Sequence, residues 1–276
     1  MKLSVLRPRA ELAPFIQSIW AFEGERGLPE SDVSLAAPNG SPKLVLTLEN
    51  SLVSSAGGQA RETGERTLSI VGIRSLPVTL STRARKTSFV GIELRPAAAF
   101  PIFGVPMDEL ANRLLPADGI SRLLGGSFAD QVWTQEGIPA KVDLVQRRLA
   151  AAVAGGPPRS PVIEYCVDCL RKTNGTAAMS DLEERTGYGK RTLQLLFKRY
   201  VGISPKALAR IFRFQWFYRR LASGEPYEAV TEDLYELFYD QSHFANEFKR
   251  MTGFSPLGYF RNVSNEFGRR VTLSHP

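Results

Sequence analysis

The chain has 276 residues, 43% hydrophobic and 23% charged, enough apolar material for two domains of roughly 100–150 residues each. Its formal net charge of +7 favours an anionic partner, but the excess is spread over both halves and marks no binding face by itself. No apolar run approaches the roughly 18 residues of a membrane span, and Lys2, Arg7 and Arg9 precede no signal-like apolar stretch, so a cytoplasmic protein with no membrane partner is expected.

Short strand-like runs open the chain: Leu44 to Leu48, Leu68 to Ile73, Val78 to Ser81 and Phe89 to Leu94. Gly, Pro, Ser and Asn separate them, as in a small barrel or sandwich. Residues 54–64, SSAGGQARETG, are small and polar and are expected to form an exposed loop. From Pro96 the period changes. Ala97 to Phe103 and Met107 to Leu115 read as helices, followed by longer ones over about 118–135 and 139–153. Arg74, Arg83, Arg85 and Lys86 form either an anion site or a solvated basic edge. A metal-dependent barrel enzyme needs clustered histidines, and both histidines of the chain, His243 and His275, lie beyond residue 242. With no G-x-S-x-G elbow and no P-loop, neither catalysis, a cofactor nor a metal is expected.

The segment Gly155-Gly156-Pro157-Pro158-Arg159-Ser160-Pro161 interrupts any helix and reads as a linker, placing the N-terminal domain at 1–154. Seven helices are then expected, over about 162–173, 178–185, 189–201, 205–222, 226–237, 240–251 and 255–263. They form an all-α domain over 162–263 with a tail over 264–276. Cys166 and Cys169 lie one helical turn apart in the first of these helices, where cysteine serves as a small buried residue. The fold class is therefore α+β multidomain: a small cupin-like β-barrel with appended helices, then a helical domain.

Within that domain a nine-residue phrase occurs twice. FKRYVGISP (Phe197 to Pro205) and FKRMTGFSP (Phe248 to Pro256) share six of nine letters. In the first copy Leu193, Leu196, Phe197 and Tyr200 form an apolar stripe, with Lys190, Arg191, Gln194 and Lys198 opposite. Gly202 ends the helix, and Ser204-Pro205 caps and starts the next. The second copy repeats the plan with Phe244, Phe248 and Met251, then Gly253, then Ser255-Pro256. A short helix and a turn precede each copy, which makes two helix-turn-helix units. The connector Pro205 to Ala222 spans roughly 27 Å at about 1.5 Å per residue. That is close to the roughly 34 Å between successive major grooves on one face of DNA. It also carries Lys206, Arg210, Arg213, Arg219 and Arg220, placed to reach phosphates.

Two segments, GYGKRTLQLLFKRYVGISPKALARIFRF (187–214) and FYDQSHFANEFKRMTGFSPLGYFR (238–261), resemble the DNA-binding domain of the AraC/XylS family of bacterial transcription regulators. ELAPFIQSIWAFEG (11–24), APNGSPKLVLTL (37–48) and VGIELRPAAAFPIFGVP (90–106) more loosely resemble an N-terminal sensor domain of such regulators. The resemblance implies double-stranded promoter DNA as partner, a small-molecule effector or dimerisation acting through the N-terminal domain, and RNA polymerase as a partner if the protein activates. It points to Arg191, Gln194 and Leu195 in the first unit, and Gln241, Ser242, His243 and Asn246 in the second, as base-reading residues. Arginine suits guanine, and Gln or Asn suits adenine. Lys190, Lys198, Lys249 and Arg250 are better placed for phosphates. Leu195 stands where the family often has Arg, so it touches a thymine methyl or packs inward. Leu237-Phe238 replaces the turn glycine of the second unit, so unequal reading heads are expected. Asn39 and Arg95 are weak candidates for an effector pocket. The alternative is a small-molecule-binding or catalytic barrel whose helical domain serves protein contacts.

Overall fold

The computed structural model describes residues 2–25, 28, 35–82, 86–118, 120, 124, 127–232 and 241–262. Two antiparallel sheets form the N-terminal part. Strands β1 (Lys2–Leu6), β2 (Ile16–Gly24), β4 (Lys43–Glu49), β7 (Thr67–Val71), β9 (Thr87–Leu94) and β10 (Leu114–Pro116) make one, in the order β1-β2-β9-β4-β7-β10. Strands β3 (Leu35–Ala36), β5 (Leu52–Ala56), β6 (Gln59–Thr63) and β8 (Val78–Thr82) make the other, in the order β3-β8-β5-β6. β9 lies at the centre of the first sheet and is buried along its whole length. Its TSFVGIEL sequence therefore reads as a near-continuous apolar run rather than an alternation.

Two expectations fail here, each for a local reason. Residues 54–64 form most of the β5–β6 hairpin, pairing Ser54 with Arg61 and Ala56 with Gln59. Gly57 and Gly58, at φ 56° and 79°, supply the positive angles that a tight hairpin turn demands. The polarity that reads as loop is that of a strand at the sheet's edge, exposed except at Thr63. Met107 to Leu115 is not a helix. A 3₁₀ turn at Met107–Glu109 gives way at Asn112, φ 59°, to strand β10 paired with β7. Asn112 Oδ1 accepts the Ser75 N–H at 2.8 Å, which fixes that corner.

The helices are α1 (Ala99–Phe103), α2 (Ser127–Thr134), α3 (Gly137–Gly155), α4 (Pro161–Lys172), α5 (Met179–Thr186), α6 (Lys190–Val201), α7 (Pro205–Ala222), α8 (Tyr227–Glu232), α9 (Gln241–Thr252) and α10 (Pro256–Asn262). The caps follow the sequence signals. Ser160 accepts from Ile163 N–H before Pro161, and Ser204 accepts from Ala207 N–H at 3.2 Å before Pro205. Cys166 is fully buried and Cys169 half-buried on α4. The second half of the 226–237 helix, the Leu237-Phe238 turn, Arg83, Arg85 and the 264–276 tail lie outside the described residues.

A single buried cluster runs from the first sheet through α1 and α3 into α4, α6, α7 and α9. The helical region therefore does not stand apart from the sheets. Tyr200 of α6 packs on Phe100 of α1 with ring centroids 4.6 Å apart, and Arg199 lies over the same ring. Such aromatic pairs contribute about 0.5–1.5 kcal/mol beyond burial. From α7, Gln215 Nε2 donates to Pro38 O at 2.6 Å in a buried hydrogen bond. Phe212 and Leu208 back onto Gly40.

Candidate nucleic-acid interface

Helix α5 is started by Asp181, whose carboxylate accepts the Ala178 N–H at 3.2 Å, and ended by Gly187 at φ 71°. After a short turn α6 begins. Leu193, Phe197, Tyr200 and Val201 bury its inner side. Arg191, Gln194, Leu195 and Lys198 share the outer side at i, i+3, i+4 and i+7, and all are exposed, as is Lys190. Leu195 is 60% exposed, so of the two roles open to it, packing inward is ruled out.

The second unit presents α9 in the same way. Phe244, Phe248 and Met251 are buried, with Phe244 on Phe217 at 4.3 Å and Phe248 on Phe214 at 5.5 Å, both across α7. Ser242, Asn246, Lys249 and Arg250 are exposed. His243 is half-buried, and the Gln241 side chain lies outside the described residues. The one acid on α9, Glu247, turns inward and pairs with Arg210 of α7 at 3.5 Å. Since α6 carries no acid, the outer faces of both helices hold only basic and neutral side chains, the arrangement that phosphate oxygens favour.

The connector arginines depart from expectation. Besides Arg210, Arg220 pairs with Glu225 at 2.7 Å and lies over Trp216, and Arg219 lines cavities beside the sheets. Lys206 alone of the five is fully exposed away from such partners. An arginine on an amphipathic helix has a stem long enough to serve the interior, which residue type alone does not reveal.

An apolar cavity lies between the two sheets and is closed by α7. Trp20, Val45, Leu80 and Phe89 wall it, and Gln215, Tyr218 and Arg219 cover it. On one wall sits Glu93, a carboxylate with no solvent exposure. It accepts from Asn39 Nδ2 at 3.1 Å and lies 3.3 Å from Lys43 Nζ, with Trp20 Nε1 and Ser18 Oγ at 3.4 Å. Asn39 is thereby committed to orienting Glu93 and Lys43 and only borders the cavity. Arg95 does not reach this cavity and lines a separate outer cleft, which Asn39 also borders. Arg74 lines the inner cavity, where burial lowers its pKa, whereas Lys86 is exposed and pairs with Glu49 at 3.1 Å. Sequence reasoning missed Glu93 and Gln215. The available signal was a charged or amide residue at an inward-facing position of an apolar strand or helix face.

Comparison with known families bears on both parts. A model of a domain of unknown function (DUF6597) matches residues 4–116, and a model of a helix-turn-helix domain matches residues 182–262. The chain carries an AraC-type helix-turn-helix domain. It is a DNA-binding transcription regulator. Among solved structures, ToxT from Vibrio cholerae is similar at 11% identity, over 88% of this chain and 97% of that one, with a TM-score of 0.49. A structure of ToxT bound to an unsaturated fatty acid is similar at 12% identity, over 89% and 98%, with a TM-score of 0.47. The AraC-like transcriptional activator CuxR is similar at 14% identity, over 90% and 84%, with a TM-score of 0.29. No significant match was found among curated proteins. The AraC-type domain, as matched, takes in α6, α7 and α9, the two outward faces and the helix that joins them. No described helix is long and apolar enough to cross a membrane.

Proposed function

We propose that this regulator reads two successive major grooves of promoter DNA with α6 and α9. Arg191, Gln194, Leu195, Gln241, Ser242, His243 and Asn246 face base edges, and Lys190, Lys198, Lys249 and Arg250 face phosphates. One observation carries the reading: both helices turn an acid-free, exposed face outward while their apolar faces are anchored, directly or through shared core, on one continuous α7. Residues 1–154 act as the sensor and 162–263 as the reader, joined at 155–161. Effector binding beside Asn39 and Arg95, or dimerisation, modulates the reader, and an activating form contacts RNA polymerase. The chain works in the cytoplasm, and catalysis plays no part.

The test is duplex binding by the full chain as a function of salt. Four phosphate contacts give a slope of about −3.6 in log K against log salt, hence a loss of roughly 150-fold between about 50 and 200 mM. Salt-insensitive binding, or no binding to any promoter fragment at low salt, would refute the reading.

A further inference from the structure

The outer cleft between the sheets and the helical region collects arginines from three elements. Arg95 follows β9, Arg171 lies near the end of α4, and Arg219 lies on α7. The cleft has a volume of about 480 Å³, the size of a small-molecule site. Among its described lining residues there is no Asp or Glu. Arg220, which also borders it, is already neutralised by Glu225. Glu93 lies deeper and is held by Lys43 and Asn39, and Asp168 lines a neighbouring depression beside Arg171. Among the described residues Arg95 donates to a backbone carbonyl, that of Ala13, at 3.4 Å. Arg171 stacks on Phe212 at 5.8 Å, which leaves its N–H edge free to turn into the cleft. Burial, then Arg95 and Arg219, push the pKa of Arg171 down, with Asp168 opposing. Asp168 acts on Arg171 and Glu93 on Arg219 from outside the cleft, so the lining itself presents three guanidinium groups and no carboxylate.

We propose that this cleft binds a small polyanion carrying two or more phosphate or carboxylate groups, which ties the DNA-binding helices to the N-terminal domain. Planar guanidinium forks match the paired oxygens of either group. A duplex is too wide for a cleft of this volume, whereas a small phosphorylated or polycarboxylic metabolite fits. Because Arg95 belongs to the sheets and Arg171 and Arg219 to the helices, the bound anion stabilises the docked arrangement over any in which the two parts separate. Its consequence for transcription rests on the DNA-reading function proposed above; the binding itself does not.

The experiment is thermal unfolding of the full chain in sodium pyrophosphate or sodium citrate, against sodium chloride at matched ionic strength. Either polyanion, or both, should raise Tm above the chloride reference, and the more effective one names the oxyanion. Arg171→Gln should weaken the response about tenfold or more in apparent affinity. Lys172→Gln, which removes the same charge from the exposed neighbour, should leave it intact. No selective stabilisation, or the same response in Arg171→Gln, overturns the proposal. So does a reduced salt slope for duplex binding in Arg171→Gln, which would place these arginines on DNA phosphates. Failure of every duplex to bind would sink the DNA reading while leaving the thermal result standing.

Discussion

Alanine at Gly202 and alanine at Gly253 are the same substitution at matching places in the repeated phrase, yet they should differ in cost. Both glycines have positive φ, 93° and 84°, where a Cβ adds roughly 1–2 kcal/mol of backbone strain. Around Gly253 nothing lies within 4 Å of the added Cβ. At Gly202 the same atom would stand 2.5 Å from the Met107 carbonyl oxygen and 2.9 Å from its carbon. That neighbour is backbone, so α6 must retreat by about 1 Å to restore ordinary contact. Overpacking of this kind costs about 1–3 kcal/mol more. Calorimetric unfolding of the two variants should therefore show Gly202→Ala lower in Tm than Gly253→Ala by roughly 3–9 °C, at about 3 °C per kcal/mol for a chain of this size. Equal losses, or a larger loss at Gly253, would mean that α6 is not held against the N-terminal part as described.

Arg191→Ala should weaken binding to the cognate site by about 1–3 kcal/mol more than binding to random DNA, measured by fluorescence anisotropy at fixed salt. Lys198→Ala should weaken both alike and lower the salt slope by about 0.9; the reverse pattern would exchange the two roles. Burial first, and the neighbouring Cys169 second, push the Cys166 thiol up to about 11. The neutral thiol is favoured in the folded state, so this contribution to stability is complete below its ordinary value of 9.0 and lost as pH rises towards about 11. At pH 7.5 the thiolate fraction is then only about 0.03%, and thiol reagents should modify Cys169 in the native protein and Cys166 only after unfolding. Rapid labelling of native Cys166 would contradict its burial.

The helices of the reader were legible because their punctuation is local. Ser204-Pro205, Gly187, Gly202 and Gly253 mark starts and stops within a few residues of the groups they satisfy. The β5–β6 hairpin was not, because an edge strand facing water has no apolar alternation to show, and its small polar residues are those of a loop. The exposed polar faces of α6 and α9 could be read from periodicity alone; their assignment to bases came from the family resemblance. The docking of α6 on the N-terminal part could not be read in this way. Tyr200, Phe100 and Met107 each look like core of their own element, and no periodicity says that they are core of one another. Glu93 escaped for a related reason. Its partners Ser18, Trp20 and Lys43 reach it by strand pairing and Asn39 from the loop before β4, all distant from it in the chain.

The same contacts give the two reading heads different mechanical positions. α6 is fixed from behind: Gly202 abuts Met107, Tyr200 and Arg199 grip Phe100, and the Tyr200 hydroxyl donates to Pro158 O at 3.3 Å. α9 packs on α7 through Phe214 and Phe217, and on α10 through Tyr259 and Phe260. One side of α7 therefore carries Gln215, Tyr218 and Arg219 over the inner cavity, and Phe214 and Phe217 a residue away carry the second head. A rigid helix cannot move at Gln215 without moving at Phe214. On the proposed reading, an occupant of the cavity that shifts α7 relative to the sheets would carry α9 with it more directly than α6, which also abuts Met107. The spacing and angle between α6 and α9 would then change, and the proposed entry into two grooves depends on that quantity. The repeated phrase thus has two unlike settings, one copy packed against the N-terminal part and the other on a helix held by α7, which the N-terminal part also touches.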